Sequence, residues 1–261
     1  MHNFFHKKIL SPFLAILLAA ACILGTAFLC GFWSGGRTGE PIKAEQPEAE
    51  QLPLEQLYED AVADAVTAEE NEIYPLVEIT RDGDQVSWRE DQILLLTVND
   101  TPELYEGGKT VELPGEVWTF TDREIKEWYP EHKEGVTDWT LRLSQLVGVP
   151  PDAGYTHVTA MWVRPEDVIR PACLTDIESG TMETRLPKDT SEEYRKWFEG
   201  NILWSYFDSA YPWTRLGYTY DWAPGSGEYG VTEFLILPGA SVEIEYTETI
   251  SQFVERLEDG T

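Results

Sequence analysis

Disulfide chemistry is almost closed to this chain. It has three cysteines, and two of them, Cys22 and Cys30, fall inside one long apolar run. Cys173 stands alone beyond that run, so the rest of the chain has no internal disulfide and must fold on its hydrophobic core. Histidine is scarce too. His2, His6, His132 and His157 are the only four, and none are spaced as zinc ligands. No glycine-rich phosphate cradle and no nucleophile elbow occurs. Asp82-Gly83-Asp84 has the form of a turn and lacks the further oxygen ligands of a calcium loop. No cofactor and no metal is expected from these patterns.

Basic residues are few: 19 Lys and Arg stand against 47 Asp and Glu, a formal charge of −28. Such a chain repels phosphate backbones and anionic headgroups, so nucleic acid is excluded as a partner. High acidity also confers solubility, whatever the fold. Every acidic residue, and every basic one but Lys7 and Lys8, lies beyond residue 33.

Residues 9–36 contain no charge at all, and 13–33 are almost wholly apolar. A helix of that length spans about 30 Å, the hydrocarbon thickness of a bilayer. Ser11 and Pro12 suit its start, and Phe32 and Trp33 an interfacial belt. Residues 9–33 are therefore expected to form a transmembrane signal anchor after a short cytoplasmic tail, 1–8. The alternative is a secreted protein cleaved near Gly25-Thr26-Ala27, although Phe28, Leu29 and Phe32 carry the apolar run past that point. A lipoprotein reading at Ala20-Ala21-Cys22 meets apolar residues where a polar tether belongs. The short basic tail favours the N-terminus inside, which puts the C-terminal domain outside the cytoplasm in a single-pass arrangement.

Residues 34–53 read as a flexible acidic linker, with Gly35-Gly36, Gly39, Pro41 and Pro47. Leu54, Leu57, Tyr58, Ala61, Val62, Ala65 and Val66 then recur at helical spacing, giving an amphipathic helix over 54–70. The pattern does not decide whether this helix packs on the domain or stands as a stalk. Residues 73–261 read as one globular domain. Residues 92–98 and 156–163 have strand character, and 116–120 a strand running into a helix. Thr121 with Glu124, Thr190 with Glu193 and Thr249 with Gln252 have capping-box spacing. A helix over 138–147 ends at Gly148 and Pro150-Pro151. Residues 231–237 and 241–246 read as strands in a hairpin-like connection through Pro238-Gly239. Strands and helices mix without β-α-β alternation, so the class is α+β: a single mixed domain with antiparallel strands and several short helices, preceded by the N-terminal transmembrane helix.

The densest chemistry is Tyr211-Pro212-Trp213-Thr214-Arg215-Leu216-Gly217-Tyr218-Thr219-Tyr220-Asp221-Trp222. Flat rings beside a few polar groups make a ligand platform. The same rings equally suit a core: on a strand, Tyr218, Tyr220 and Trp222 share one face. Arg164, Arg170 and Arg215 stand out among so many acids. Each is either paired with a carboxylate, Asp167 and Asp221 being the local choices, or free to grip an anion. Glu233 opens a strand, and an acidic residue so placed downstream of an Arg is similar to the arrangement in ADP-ribosyltransferases, whose remaining motif is not evident. A nucleophilic pair of Cys173 with His157 would need a third, orienting group, and none can be named.

The twelve-residue aromatic segment resembles, together with Gly154-Tyr155-Thr156-His157, Met161-Trp162-Val163-Arg164-Pro165-Glu166-Asp167 and Arg170-Pro171, a pattern in uncharacterised bacterial membrane-anchored or secreted proteins. The resemblance covers roughly residues 138–246. It implies one domain and a bacterial host, and carries no catalytic residue with it.

The expected function is a binding or interaction module at the cell envelope, taking a glycan or protein ligand. The alternative is an envelope-associated hydrolase or transferase working through carboxylates and Arg. The candidate ligand-binding residues are Arg164, Tyr211, Trp213, Arg215, Tyr218, Tyr220, Asp221, Trp222 and Glu233. The sequence does not bear on oligomeric state.

Overall fold

The computed structural model describes residues 52–208 and 210–260. The chain divides into two units, Met1–Ala49 and Glu50–Thr261, and every described residue belongs to the second. The expected anchor and its tail, with all but the end of the linker, lie outside the described residues. Among the described residues no helix is long and apolar enough to cross a membrane.

The fold is a mixed α+β arrangement. In chain order it runs α1 (Leu54–Ala65), β1 (Trp88–Arg89), β2 (Gln92–Asn99), β3 (Thr110–Glu112), β4 (Val117–Thr121), α2 (Asp122–His132), α3 (Trp139–Leu146), β5 (His157–Val163), β6 (Val168–Ile169), α4 (Glu192–Leu203), β7 (Tyr218–Asp221), β8 (Glu228–Thr232), β9 (Phe234–Ile236), β10 (Ser241–Thr249) and α5 (Ile250–Asp259). Eight strands form one sheet in the order β3-β10-β5-β2-β4-β9-β6, with β1 on the edge of β2, and all its pairings are antiparallel. β7 and β8 form a separate ribbon.

Period-two alternation sorts the sheet's two faces. Ile93 and Leu95 of β2 pack with Met161 and Val163 of β5 and with Val242 and Ile244 of β10, beneath Val77, Ile79 and Val86. Leu96 and Val98, with Val158 and Ala160, face the other way and are covered by Ile125 and Tyr129 of α2, Leu143 and Leu146 of α3, and Phe253 and Val254 of α5. Each such large apolar side chain contributes about 1.5–3 kcal/mol by leaving water. Arg170 is wholly buried and donates to the carbonyls of Val77, Asp176, Ile177 and Ser179, pinning the 76–86 cover to the loop after β6. It pairs with the backbone, not with a carboxylate.

Local signals held unevenly. Thr249 and Gln252 make both halves of a capping box. Thr121 caps Glu124, but the Glu124 carboxylate turns inward to the amide of Thr232 instead of back to the cap. Helix α4 begins one residue late: Ser191 caps it by accepting from Tyr194, while Thr190 donates to Pro187. The expected hairpin through Pro238-Gly239 does not form. β9 pairs with β4 and β6, and β10 with β3 and β5. The apolar run of 231–237 is instead split at Glu233 between two sheets.

α1 packs on the domain. Tyr58 meets Trp222 edge to face at 5.5 Å, Tyr206 donates to the Ala65 carbonyl at 2.9 Å, and Arg215 to that of Val66 at 2.7 Å.

Candidate functional site

The ladder between β2 and β4 is two residues long, Leu95 with Thr121 and Leu96 with Phe120. From there β4 turns its pairing to β9, through Val117–Thr119. The end of β2 and the start of β4 diverge, and a cavity of about 420 Å³ occupies the fork. That volume lies in the range of small-molecule sites. Residues 97–101 and 116–120 form two of its sides, and 147–149, Tyr155, and residues from α4 through Tyr220 close the rest.

Its rings are held in place. Trp213 donates from its indole to the Pro171 carbonyl at 3.0 Å and meets Phe198 at 5.0 Å, Trp197 at 6.0 Å and Trp118 at 6.3 Å. Thr119 donates to the Phe234 carbonyl at 3.0 Å. After α4 the helix widens into a π-helical turn, Trp204–Asp208, a device frequent at functional sites. It brings the buried Ser205 and the 56 % exposed Trp204 to the cavity.

Glu233 is the unusual group. Its amide donates to the Gly217 carbonyl at 2.9 Å, which fixes the break between β8 and β9. Its carboxyl is buried in the cavity wall, and Oε2 has no hydrogen-bond partner. Burial alone pushes its pKa up to about 8, so the group is largely a neutral acid at pH 7. The other buried carboxylates are provided for. Asp221 takes both arms of Arg142 at 3.0 and 2.6 Å. Asp122 accepts from the Ser87 amide and hydroxyl. Glu124 is half-buried and accepts from Thr232 and Tyr229, which opposes the rise that burial imposes. A second unpartnered buried atom, Asn201 Nδ2, belongs to another residue of the same cavity. Among the described residues four buried side-chain atoms lack partners; Arg170 Nη1 and Arg215 Nε lie outside the cavity, and the other two share it.

Of the residues singled out in the sequence, Tyr211, Trp213, Tyr220 and Glu233 line the cavity. The others lie elsewhere. Arg164 is an exposed arginine paired with Glu166 at 2.7 Å and Asp167 at 3.1 Å. Arg215 binds the carbonyls of α1's end and lies over the Tyr206 ring. Asp221 is held by Arg142. Tyr218 is buried among Tyr74 and Tyr229, and Trp222 against Tyr58. Tyr218 is divided from Tyr220 and Trp222 because a register shift between Tyr218 and Tyr220 breaks the alternation. Cys173 is buried and its thiol is pushed up to about 11, opposite to the activation a nucleophile needs. His157 contacts Thr156.

Outside the cavity, Asp64, Glu72 and Glu228 each bring one carboxylate oxygen within 4.8 Å of the others, a set that could hold a cation. Burial, then the neighbouring Asp64 and Glu72, raises Glu228 above its ordinary value.

No family model, no curated protein and no solved structure matches the chain.

Proposed function

We propose that the domain is a ligand-binding module that takes one small molecule into the cavity between β2 and β4. One observation carries this reading: a ring-lined cavity of about 420 Å³ whose wall holds a buried carboxyl oxygen and a buried amide nitrogen, both without partners. Arg170 Nη1 and Arg215 Nε also lack partners, but both arginines spend their other nitrogens on backbone carbonyls, whereas the Glu233 oxygen and the Asn201 nitrogen border open space that a ligand can fill. The charge-free run of residues 9–33 supports the proposal that the module is tethered to a membrane, and the basic tail before it supports a domain outside the cytoplasm. Protease added to intact cells tests the placement: the domain is digested if it faces out and spared if it faces in.

The ligand site is tested by screening a fragment library with ligand-detected NMR against the full chain, Trp204→Ala and Leu203→Ala. Trp204 and Leu203 are comparably exposed, and Trp204 alone of the two lines the cavity. Hits weakened by the first variant and untouched by the second support the reading. A library without hits, or hits indifferent to Trp204, overturns it.

A second reading is an enzyme. It is favoured by Glu233, whose carboxyl is held protonated near neutral pH, as a general acid requires. Turnover lost in Glu233→Gln with binding retained would establish it.

A further inference from the structure

We infer that the cavity takes a small organic ammonium ion, primary or quaternary, whose charged head is balanced by the Glu233 carboxylate and whose carbon body lies among the rings. This rests on the reading that the cavity is a ligand site.

Charge sign comes first. The charged side chains lining the cavity are Asp100, Glu116 and Glu233, and no Lys, Arg or His is among the described residues that line it. An anion would find no counter-charge there. The whole chain, at −28, attracts cations and raises their concentration near the opening. The lining rings include Tyr105, Trp118, Tyr155, Tyr211, Trp213 and Tyr220. Aromatic faces attract ammonium groups, and more strongly where water is excluded. Finally, Oε2 of Glu233 lacks a partner, so the group best placed to meet a cationic head is not already committed. The orphaned Asn201 amide is a donor for a ligand oxygen.

The chemistry involves a proton. Glu233 is largely protonated in the free domain. When the ammonium ion enters, the carboxyl loses its proton to solvent, and the ion pair forms with no net change in the charge of the site. The other titratable groups around it are Asp100 from the end of β2, Glu116 before β4, Tyr105, Tyr155, and Tyr211 and Tyr220 on the segment after α4. Behind them, Tyr206 feels both Arg215 and Glu233. Tyr105, Tyr155, Tyr206 and Tyr220 are all shifted upward, away from neutral pH. The proton released near pH 7 is therefore that of Glu233.

The test is calorimetry on the full chain with two matched pairs of probes: choline against its neutral carbon isostere 3,3-dimethylbutan-1-ol, and n-butylammonium against butan-1-ol. Runs at pH 7 in two buffers of different ionisation enthalpy read proton release. The expected result is that at least one cation binds about tenfold or more tightly than its isostere, with most of one proton released. Glu233→Gln, which mimics the neutral acid and so keeps the fold, is expected to abolish that preference and the proton release. If the alcohols bind as well as the cations, or no proton leaves, the inference is overturned while the cavity stands as a site for neutral ligands. If both pairs are silent although the fragment library gives cavity hits, the inference fails alone. If the library is silent as well, both readings fall.

Discussion

Glu233 and Gly217 are joined by a single backbone hydrogen bond of 2.9 Å, from the Glu233 amide to the Gly217 carbonyl. That bond ties the break between β8 and β9 to the turn before β7, and so sets where the Glu233 carboxyl sits.

Gly217 has a φ of +85°, and a Cβ there would meet Arg170 Cδ at 2.9 Å, Leu76 Cδ1 at 3.0 Å and Met182 Cε at 3.1 Å. The side chains can yield somewhat, but the backbone conformation cannot suit alanine. Gly217→Ala is expected to destabilise the domain by about 2–4 kcal/mol, read as a lower urea midpoint.

Glu233 binds its proton more tightly in the folded domain than in the unfolded chain, because its folded pKa is raised to about 8. Full stability is present below the ordinary carboxylate range. It is lost progressively as pH climbs from there through about 8, since the folded state must then give up a proton the unfolded chain has already lost. Glu233→Gln removes that loss. It is expected to be close to neutral at pH 4 and to stabilise by a few kcal/mol, at most about 3–5, at pH 9. Thermal unfolding across this window checks it.

Arg142 and Asp221 form a bidentate pair with side chains 12 % and 3 % exposed. Removing the arginine strands a buried carboxylate. Arg142→Met is expected to cost about 3–5 kcal/mol in urea unfolding, and Arg142→Met with Asp221→Asn to recover part of that.

Helix entry offers a finer check. Thr249→Ala and Ser191→Ala remove hydroxyls that accept from helix amides, and each is expected to cost about 1 kcal/mol. Thr190→Ala removes only a turn hydrogen bond to Pro187, and is expected to cost less than Ser191→Ala in the same unfolding assay.

The α+β class was legible because the apolar run of β2 and the capping-box spacing that opens α5 are local signals, each written within ten residues. The partners of β9 and β10 were not, since strand pairing depends on segments far along the chain. Glu233 illustrates the same limit. Its residue type and its place beside an apolar run drew notice, but not that it interrupts two strands from different sheets. The aromatic segment drew notice for its density. The bulge beside Tyr220, which sends Tyr218 into a core and leaves Tyr220 on the cavity, has no signature in the residue types. Trp204 and Ser205 were missed because a π-helical turn shifts their facing, and Asn201 because it is one polar residue within the regular helix α4. Arg164 and Arg215 drew notice as scarce cations, yet acids and carbonyls nearby claim both.

The most direct measurement is the ionisation of Glu233 itself. Carbon-13 NMR of carboxyl-labelled glutamate in the full chain, with the Glu233 resonance assigned by its loss in Glu233→Gln, follows that group through a pH titration. The account gives a midpoint near 8, the mark of a buried carboxyl left unpartnered in a cavity. A midpoint in the ordinary range near 4 would mean that Glu233 is solvated or already paired, and would contradict the assignment of this cavity as the ligand site.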